Sequence, residues 1–104
     1  MAPNPPKSES SLSKILLENE RVKIYELHLE PRQTTEMHSH PEYVTYALTD
    51  ARLRIKYANG VSEDRDYKAG QAAYRPAQKH TIENAGENDS KIVIVEIKEK
   101  NTRI

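Results

Sequence analysis

The stretch that decides the fold of this chain reads Gly70-Gln71-Ala72-Ala73-Tyr74-Arg75-Pro76-Ala77-Gln78-Lys79-His80-Thr81-Ile82-Glu83-Asn84. It predicts two strands, one ending at Arg75 and one beginning at His80, on either side of the segment that contains Pro76. Because side chains alternate along a strand, His80, Ile82 and Asn84 share one face. We expect the amide of Asn84 to tie its strand end to a loop, and we take His80 as a candidate metal ligand.

A second histidine stretch precedes it, His38-Ser39-His40. In an extended segment the two imidazoles project from the same face, about 7 Å apart along the strand. That spacing allows one ion to bind both, and neutral imidazole suits zinc, copper, iron or nickel. An isolated pair of this kind is equally compatible with two polar residues on an exposed strand face.

The remaining sequence predicts strands almost throughout. Short β-branched or alternating apolar runs are separated by Pro, Gly, Asn and Asp. In residues 52–57 the alternation is strict, with Leu53, Ile55 and Tyr57 on one face and three cations on the other. Asn59-Gly60 indicates a hairpin turn. The predicted strands are Ile15 to Glu18, Val22 to Leu29, Glu36 to His40, Tyr43 to Leu48, Leu53 to Tyr57, Ala72 to Arg75, His80 to Asn84 and Ile92 to Lys98.

The first histidine stretch resembles motif one of the cupins, G-x5-H-x-H-x3,4-E-x6-G. Both histidines match, while Arg32 and Asp50 stand at the two glycine positions. Counting back from Asp50 places Tyr43 where the glutamate ligand of the family belongs, and no Glu falls there.

The second stretch resembles cupin motif two, G-x5-P-x-G-x2-H-x3-N. Gly70, Pro76, His80 and Asn84 stand at family positions. Gln78 replaces the middle glycine, and the interval from proline to histidine is one residue short.

The resemblance implies an all-β cupin double-stranded β-helix, that is, a jelly-roll barrel. It implies that His38, His40 and His80 hold one divalent transition metal at the barrel mouth. We favour Fe2+, with Zn2+, Ni2+, Mn2+ or Cu2+ as alternatives. Three histidines without the glutamate resemble the sites of small thiol and diketone dioxygenases.

Three further residues are candidates for catalysis. Glu42 would become a fourth ligand if a shortened loop turned it towards the metal, and is otherwise an exposed turn residue. Tyr43 would hydrogen-bond a bound ligand or simply fill the barrel. Arg75 would clamp a substrate carboxylate or lie solvated at a strand end. Glu36 shares the strand face of His38 and His40. It would either hydrogen-bond a ligand or be a charge at the rim of the site. We expect His28 to lie outside the site.

The favoured function is a metal-binding cupin acting as an Fe(II)-type oxygenase or dioxygenase on a small molecule. One alternative is a non-catalytic barrel that binds a metal or small molecule as a sensor or store. Another is a Zn-, Ni- or Mn-dependent isomerase or lyase, because the same ligands serve those metals. A purely structural barrel whose histidines bind nothing is the simplest alternative.

Composition limits the partners and the compartment. The 104 residues include sixteen basic and sixteen acidic side chains and no cysteine. We therefore expect no nucleic acid or membrane partner, a cytoplasmic location, and a metal site without thiolates. Residues 1–13, rich in Pro and Ser, are predicted to be a flexible tail before a single cupin domain at 14–104. A thin core favours a homodimer.

Overall fold

The computed structural model of the protein describes residues 6–98, apart from the side chain of Ser10. These residues form nine strands and one short 3-10 helix, Glu9–Leu12. Within them, no helix is long and apolar enough to cross a membrane. The strands are β1 (Ser13–Glu18), β2 (Val22–Leu29), β3 (His38–His40), β4 (Tyr43–Ala47), β5 (Ala51–Tyr57), β6 (Ser62–Tyr67), β7 (Ala72–Arg75), β8 (Gln78–Asn84) and β9 (Ser90–Ile97).

The strands pair into two antiparallel sheets. One has five strands in the order β1-β2-β9-β4-β7, and the other has four in the order β3-β8-β5-β6. Alternation sends every second side chain into the space between the sheets. The buried apolar residues there form one cluster that includes Leu27, Ile55, Ile82 and Ile94. The architecture is the all-β jelly roll that the sequence predicts.

All eight predicted strands are present. One further strand, β6, was not predicted. Its sequence, Ser-Glu-Asp-Arg-Asp-Tyr, has no aliphatic residue to produce an apolar alternation. Arg65 and Tyr67 nevertheless face inward and are buried. The outward side is specified by charge, because Asp64 and Asp66 pair with the arginines of β5 at 3.1 and 3.0 Å.

The structure describes part of the segment that the sequence predicts to be a tail. Residues 1–5 lie outside the described residues, as do residues 99–104 of the predicted domain. Residues 7–13, however, pack on the sandwich. Lys7 N donates to Thr34 O at 3.0 Å, and Glu36 N donates to Lys7 O at 2.7 Å. Leu12 packs against the core, so the backbone pairing and the burial of one apolar side chain hold the segment in place.

Two turns next to the histidine stretches need left-handed backbone. Gly70 has a φ of 89°, which glycine adopts without strain. Arg32, at the other family glycine position, has a φ of 68°. An L side chain there costs about 1 kcal/mol. Its amide donates to Asn84 O at 2.8 Å, which fastens the turn to the end of β8.

Asn84 joins three segments at the closed end of β8. Its fully buried amide nitrogen donates to Leu29 O at 2.9 Å and to Asn88 O at 2.8 Å. Its Oδ1 accepts from Gly86 N at 2.9 Å. This is the structural role that the sequence predicts for it.

We expect Asn84→Asp to destabilise the fold although it barely changes the shape of the side chain. A carboxylate cannot donate to the two carbonyls, and it would be buried without a cation. The free energy of unfolding should fall by about 2 to 4 kcal/mol, as measured by urea denaturation. Lys91→Gln, at an exposed position of β9, is the control and should change it by less than about 0.5 kcal/mol. An unchanged urea midpoint for Asn84→Asp would contradict the assigned role.

Candidate metal centre

Strand pairing brings the three predicted histidines together. His38 of β3 lies directly opposite His80 of β8 in the sheet, and His40 follows two residues along on the same face. The ring centroids are 4.5 Å apart for His38 and His40, 4.9 Å for His38 and His80, and 5.0 Å for His40 and His80. One nitrogen from each ring lies within 4.8 Å of the others, an arrangement that can hold a metal ion.

The outer nitrogens of His38 and His40 are already engaged. His38 Nδ1 lies 2.7 Å from Glu36 O, a carbonyl that can only accept a hydrogen bond. His40 Nδ1 lies 2.5 Å from the Glu96 carboxylate. Each Nδ1 must therefore carry a proton, so that in the neutral rings each Nε2 presents a lone pair. In metal sites, too, a histidine ligand usually donates its other ring N–H to a carboxylate or a backbone carbonyl.

Those two Nε2 atoms face each other at 2.7 Å. Two lone pairs at this distance repel unless a cation lies between or beside them. In the protein without metal, a proton serves that purpose. Burial lowers the pKa of His40, but hydrogen bonds to Glu9 and Glu96 outweigh that effect and raise it to about 9.

His80 is the side chain that most needs a ligand. It is fully buried, and neither ring nitrogen has a hydrogen-bond partner among the described residues. Burial, with the nearby charges of His40, His38 and Arg65, lowers the pKa of His80 to about 3, so the ring is neutral. A neutral, unpartnered imidazole facing two Nε2 lone pairs fits a transition metal.

A carboxylate that sequence reasoning missed adjoins this cluster. Glu9 Oε2 lies 3.1 Å from His38 Nε2 and 3.2 Å from His40 Nε2. Burial would raise the pKa of Glu9, but hydrogen bonds to the two histidines outweigh it and hold that pKa far below its usual range. Glu9 is therefore ionised beside the nitrogens.

A second missed carboxylate, Glu96, positions His40. It projects inward from β9, and its Oε2 lies 3.0 Å from the hydroxyl of Tyr25. The same hydroxyl lies 2.9 Å from Glu9 Oε1, so Tyr25 bridges both carboxylates. Burial, and then the two negative charges, raise the pKa of Tyr25, which stays protonated as a donor.

Tyr43 lies against the histidines. Its ring is 4.8 Å from that of His40, and its hydroxyl donates to Gln78 Oε1 at 3.0 Å. Arg65 of β6, also missed from the sequence, reaches the same place: its Nη2 lies 2.7 Å from the hydroxyl of Tyr57 and 3.3 Å from Gln78 Oε1. A buried guanidinium thus borders the histidine cluster.

The other predicted residues lie farther out. Glu42 is exposed, and its Oε1 accepts from the hydroxyl of Tyr74 at 3.1 Å. Arg75 stands opposite Tyr43 in the sheet and donates to the hydroxyl of Tyr67 at 3.4 Å. The side chain of Glu36 is exposed, and only its backbone carbonyl meets His38. His28 pairs with Asp89 at 2.9 Å, away from the site.

Two of the missed residues carried a sequence signal. Ile92, Ile94 and Glu96 alternate on one face of a predicted strand, so a charge at the third position is a buried polar group in need of a partner. Arg65 is two residues before Tyr67 and shares its face. Glu9 had no such signal, because its position depends on how the N-terminal segment packs.

We expect His80→Leu to stabilise the metal-free protein while abolishing its response to metal. Leucine fills the space without leaving polar atoms unpaired, which should raise the free energy of unfolding by about 1 to 2 kcal/mol in EDTA. Added Ni2+ should raise the melting temperature of the unsubstituted protein and of the His28→Gln control, but not that of His80→Leu. A variant that is less stable in EDTA yet still responds to Ni2+ would contradict this role for His80.

No protein-family model and no curated protein matches the sequence. Among solved structures, a cupin domain from Bordetella pertussis Tohama I superposes with a TM-score of 0.81 at 26% identity, covering 94% of this chain and 100% of that one. An uncharacterised conserved protein with a double-stranded β-helix domain from Klebsiella pneumoniae gives 0.66 at 21% identity, over 92% and 81% of the two chains.

A cupin superfamily protein from Desulfitobacterium hafniense gives a TM-score of 0.65 at 17% identity, covering 85% of this chain and 77% of that one. These likenesses agree with the two antiparallel sheets that the described strands form. The described residues therefore form one small domain with the cupin fold, the double-stranded β-helix.

Proposed function

We propose that this cupin binds one divalent transition metal through His38, His40 and His80. The observation that carries the proposal is the fully buried His80, whose nitrogens have no partner among the described residues and face two Nε2 acceptors. Burying such a group without a ligand costs free energy, and a metal ion satisfies all three rings at once. Iron(II) is the favoured ion, with zinc, nickel, manganese and copper as alternatives that imidazole also accepts.

We assign the metal a role in the chemistry of a small molecule. When bound, such an ion polarises a substrate oxygen, and iron(II) also supplies electrons for reaction with dioxygen. The residues of the chain prepare the site. Glu96 accepts a hydrogen bond from His40 Nδ1, and the carbonyl of Glu36 accepts one from His38 Nδ1. The ring of Tyr43 packs on His40. Oxygenase or dioxygenase activity is the reaction that we favour.

Two arginines favour a substrate with an anionic group. Arg65 is buried beside Tyr43 and Gln78, and the buried Nε of Arg75 has no partner among the described residues. A guanidinium presents donors in a fixed fork that suits a carboxylate. In this proposal Arg75 orients the substrate and Tyr43 hydrogen-bonds it, while a catalytic part for Glu42 requires its loop to move.

Dioxygen consumption tests the enzyme proposal. Iron-loaded protein is mixed with candidate thiols, diketones and phenols, including carboxylated members of each class, in an oxygen electrode. We expect uptake with at least one class, reduced at least about tenfold in His80→Ala and unchanged in the control His28→Ala. Uptake that survives His80→Ala would exclude catalysis at this centre. Tightly bound iron with no uptake would favour a sensor or storage barrel, and turnover with another metal would favour an isomerase or lyase.

A homodimer is the partner that we propose, through the outer face of the five-stranded sheet. One apolar row crosses all five strands, because each residue in it pairs directly with the next. Its ends, Leu17 and Tyr74, are 48% and 58% exposed. A soluble monomer rarely presents so continuous an apolar surface. The row is Leu17, Ile24, Val95, Val44 and Tyr74. The cytoplasmic location remains a prediction.

We expect Val44→Asp, on β4 within this row, to convert the dimer to a monomer. A carboxylate buried between two copies has no cation to pair with. Sedimentation velocity should show the dimer for the unsubstituted chain and for Ser62→Asp, an exposed position on the opposite sheet. A dimer that persists in Val44→Asp would place the interface elsewhere.

A further inference from the structure

We propose that Glu9, on the N-terminal 3-10 helix, supplies a fourth, carboxylate ligand to the metal. This inference rests on the proposed function, because it assigns a further residue to the same centre. In this chain motif one has no glutamate ligand. Glu9 would supply a carboxylate instead, from the N-terminal 3-10 helix. The ligand set would then be His38, His40, His80 and Glu9.

The carboxylate is aimed at the histidine nitrogens. Glu9 Oε2 is 3.1 Å from His38 Nε2 and 3.2 Å from His40 Nε2, the two atoms that lie 2.7 Å from each other. The three acceptors thus surround one point. Oε2 is buried, and these two imidazole nitrogens are its neighbours among the described polar atoms. A carboxylate oxygen this close to two ring nitrogens is held there by a cation, which is a proton on an imidazole in the metal-free protein and a metal ion when one is bound.

The other oxygen of Glu9 is already held. Oε1 accepts from the hydroxyl of Tyr25 at 2.9 Å, and Tyr25 is buried in the core. That contact fixes the carboxylate with Oε2 free for a metal. It matches the way in which the carbonyl of Glu36 and the carboxylate of Glu96 hold the outer nitrogens of the histidines.

The backbone delivers Glu9 to this place. Lys7 forms a parallel bridge with Thr35, just before β3, and Ser11 N donates to Ser8 O at 3.1 Å to form the first turn of the helix. The turn brings Glu9 to the histidines, and Leu12, which is partly buried, packs against the core. Backbone pairing and side-chain burial therefore fix both ends of the segment.

The competing carboxylates are occupied or distant. Glu96 is engaged with His40 Nδ1, on the side of the ring away from Nε2. Glu42 is exposed and bonded to Tyr74. At the family's glutamate position, Tyr43 packs its ring on His40 and directs its hydroxyl to Gln78. Glu9 is the described carboxylate whose oxygen approaches the Nε2 atoms.

The inference is tested with Co2+, whose visible spectrum reports its ligands independently of activity. Glu9→Gln keeps the shape of the side chain and the acceptor for Tyr25, and removes the charge. We expect it to weaken Co2+ binding at least about tenfold and to shift the d–d bands. Glu42→Gln tests the alternative ligand, and Glu20→Gln is an exposed control for the loss of one charge. Circular dichroism verifies that each variant is folded.

The outcomes separate this inference from the proposed function. Weaker binding with altered bands in Glu9→Gln, and the unsubstituted behaviour in Glu42→Gln and Glu20→Gln, would support Glu9 as a ligand. Unsubstituted affinity and bands in Glu9→Gln would overturn it and leave the three-histidine centre intact. The effect appearing in Glu42→Gln instead would assign the ligand to Glu42. Absence of Co2+ binding by the unsubstituted protein would overturn the proposed function itself.

Discussion

The rest of the site depends on one constraint: the Nδ1 atoms of His38 and His40 must each carry a proton. The carbonyl of Glu36 and the carboxylate of Glu96 each demand a proton from the Nδ1 that they face. With those protons in place, the inner nitrogens of neutral His38 and His40 are both acceptors, and they lie 2.7 Å apart. A cation must compensate them, and both His80 of β8 and Glu9 of the 3-10 helix approach this pair of rings.

Stability and function therefore oppose each other within this small domain. Its core is thin, and several inward positions are occupied by polar groups in place of aliphatic ones: His40, His80, Arg65 and Asn84. Asn84 and Arg65 are satisfied by hydrogen bonds, so their burial strengthens the fold. His80 is not, and its burial costs free energy that a bound ligand would recover. Among the described residues, the unpartnered His80 thus differs from the hydrogen-bonded Asn84 and Arg65.

The two arginines show how one fold can separate these roles. Arg65 makes hydrogen bonds to Tyr57, Glu63 and Gln78, which hold it rigidly beside the histidines. Arg75, on the neighbouring sheet, keeps a buried Nε without a partner among the described residues. Under the proposed function, the fixed guanidinium of Arg65 and the unpaired Nε of Arg75 would favour an anionic small molecule.

The sequence by itself determined the all-β fold and the strand positions of the three candidate histidines. Strand alternation depends on neighbouring residues alone, so Val22 to Leu29 and Ala72 to Arg75 were predicted with their observed bounds. The spacing of His38 and His40 on one strand is local in the same sense. Strand β6 was not predicted because its sequence is rich in charged residues and has no alternating aliphatic residues. Arg65, which lies on this strand, was missed for the same reason. Only the tertiary structure could place Glu9, since its approach to the histidines depends on the parallel bridge of Lys7 with Thr35 and on Tyr25. Such contacts join residues far apart in the chain, and no local spacing encodes them.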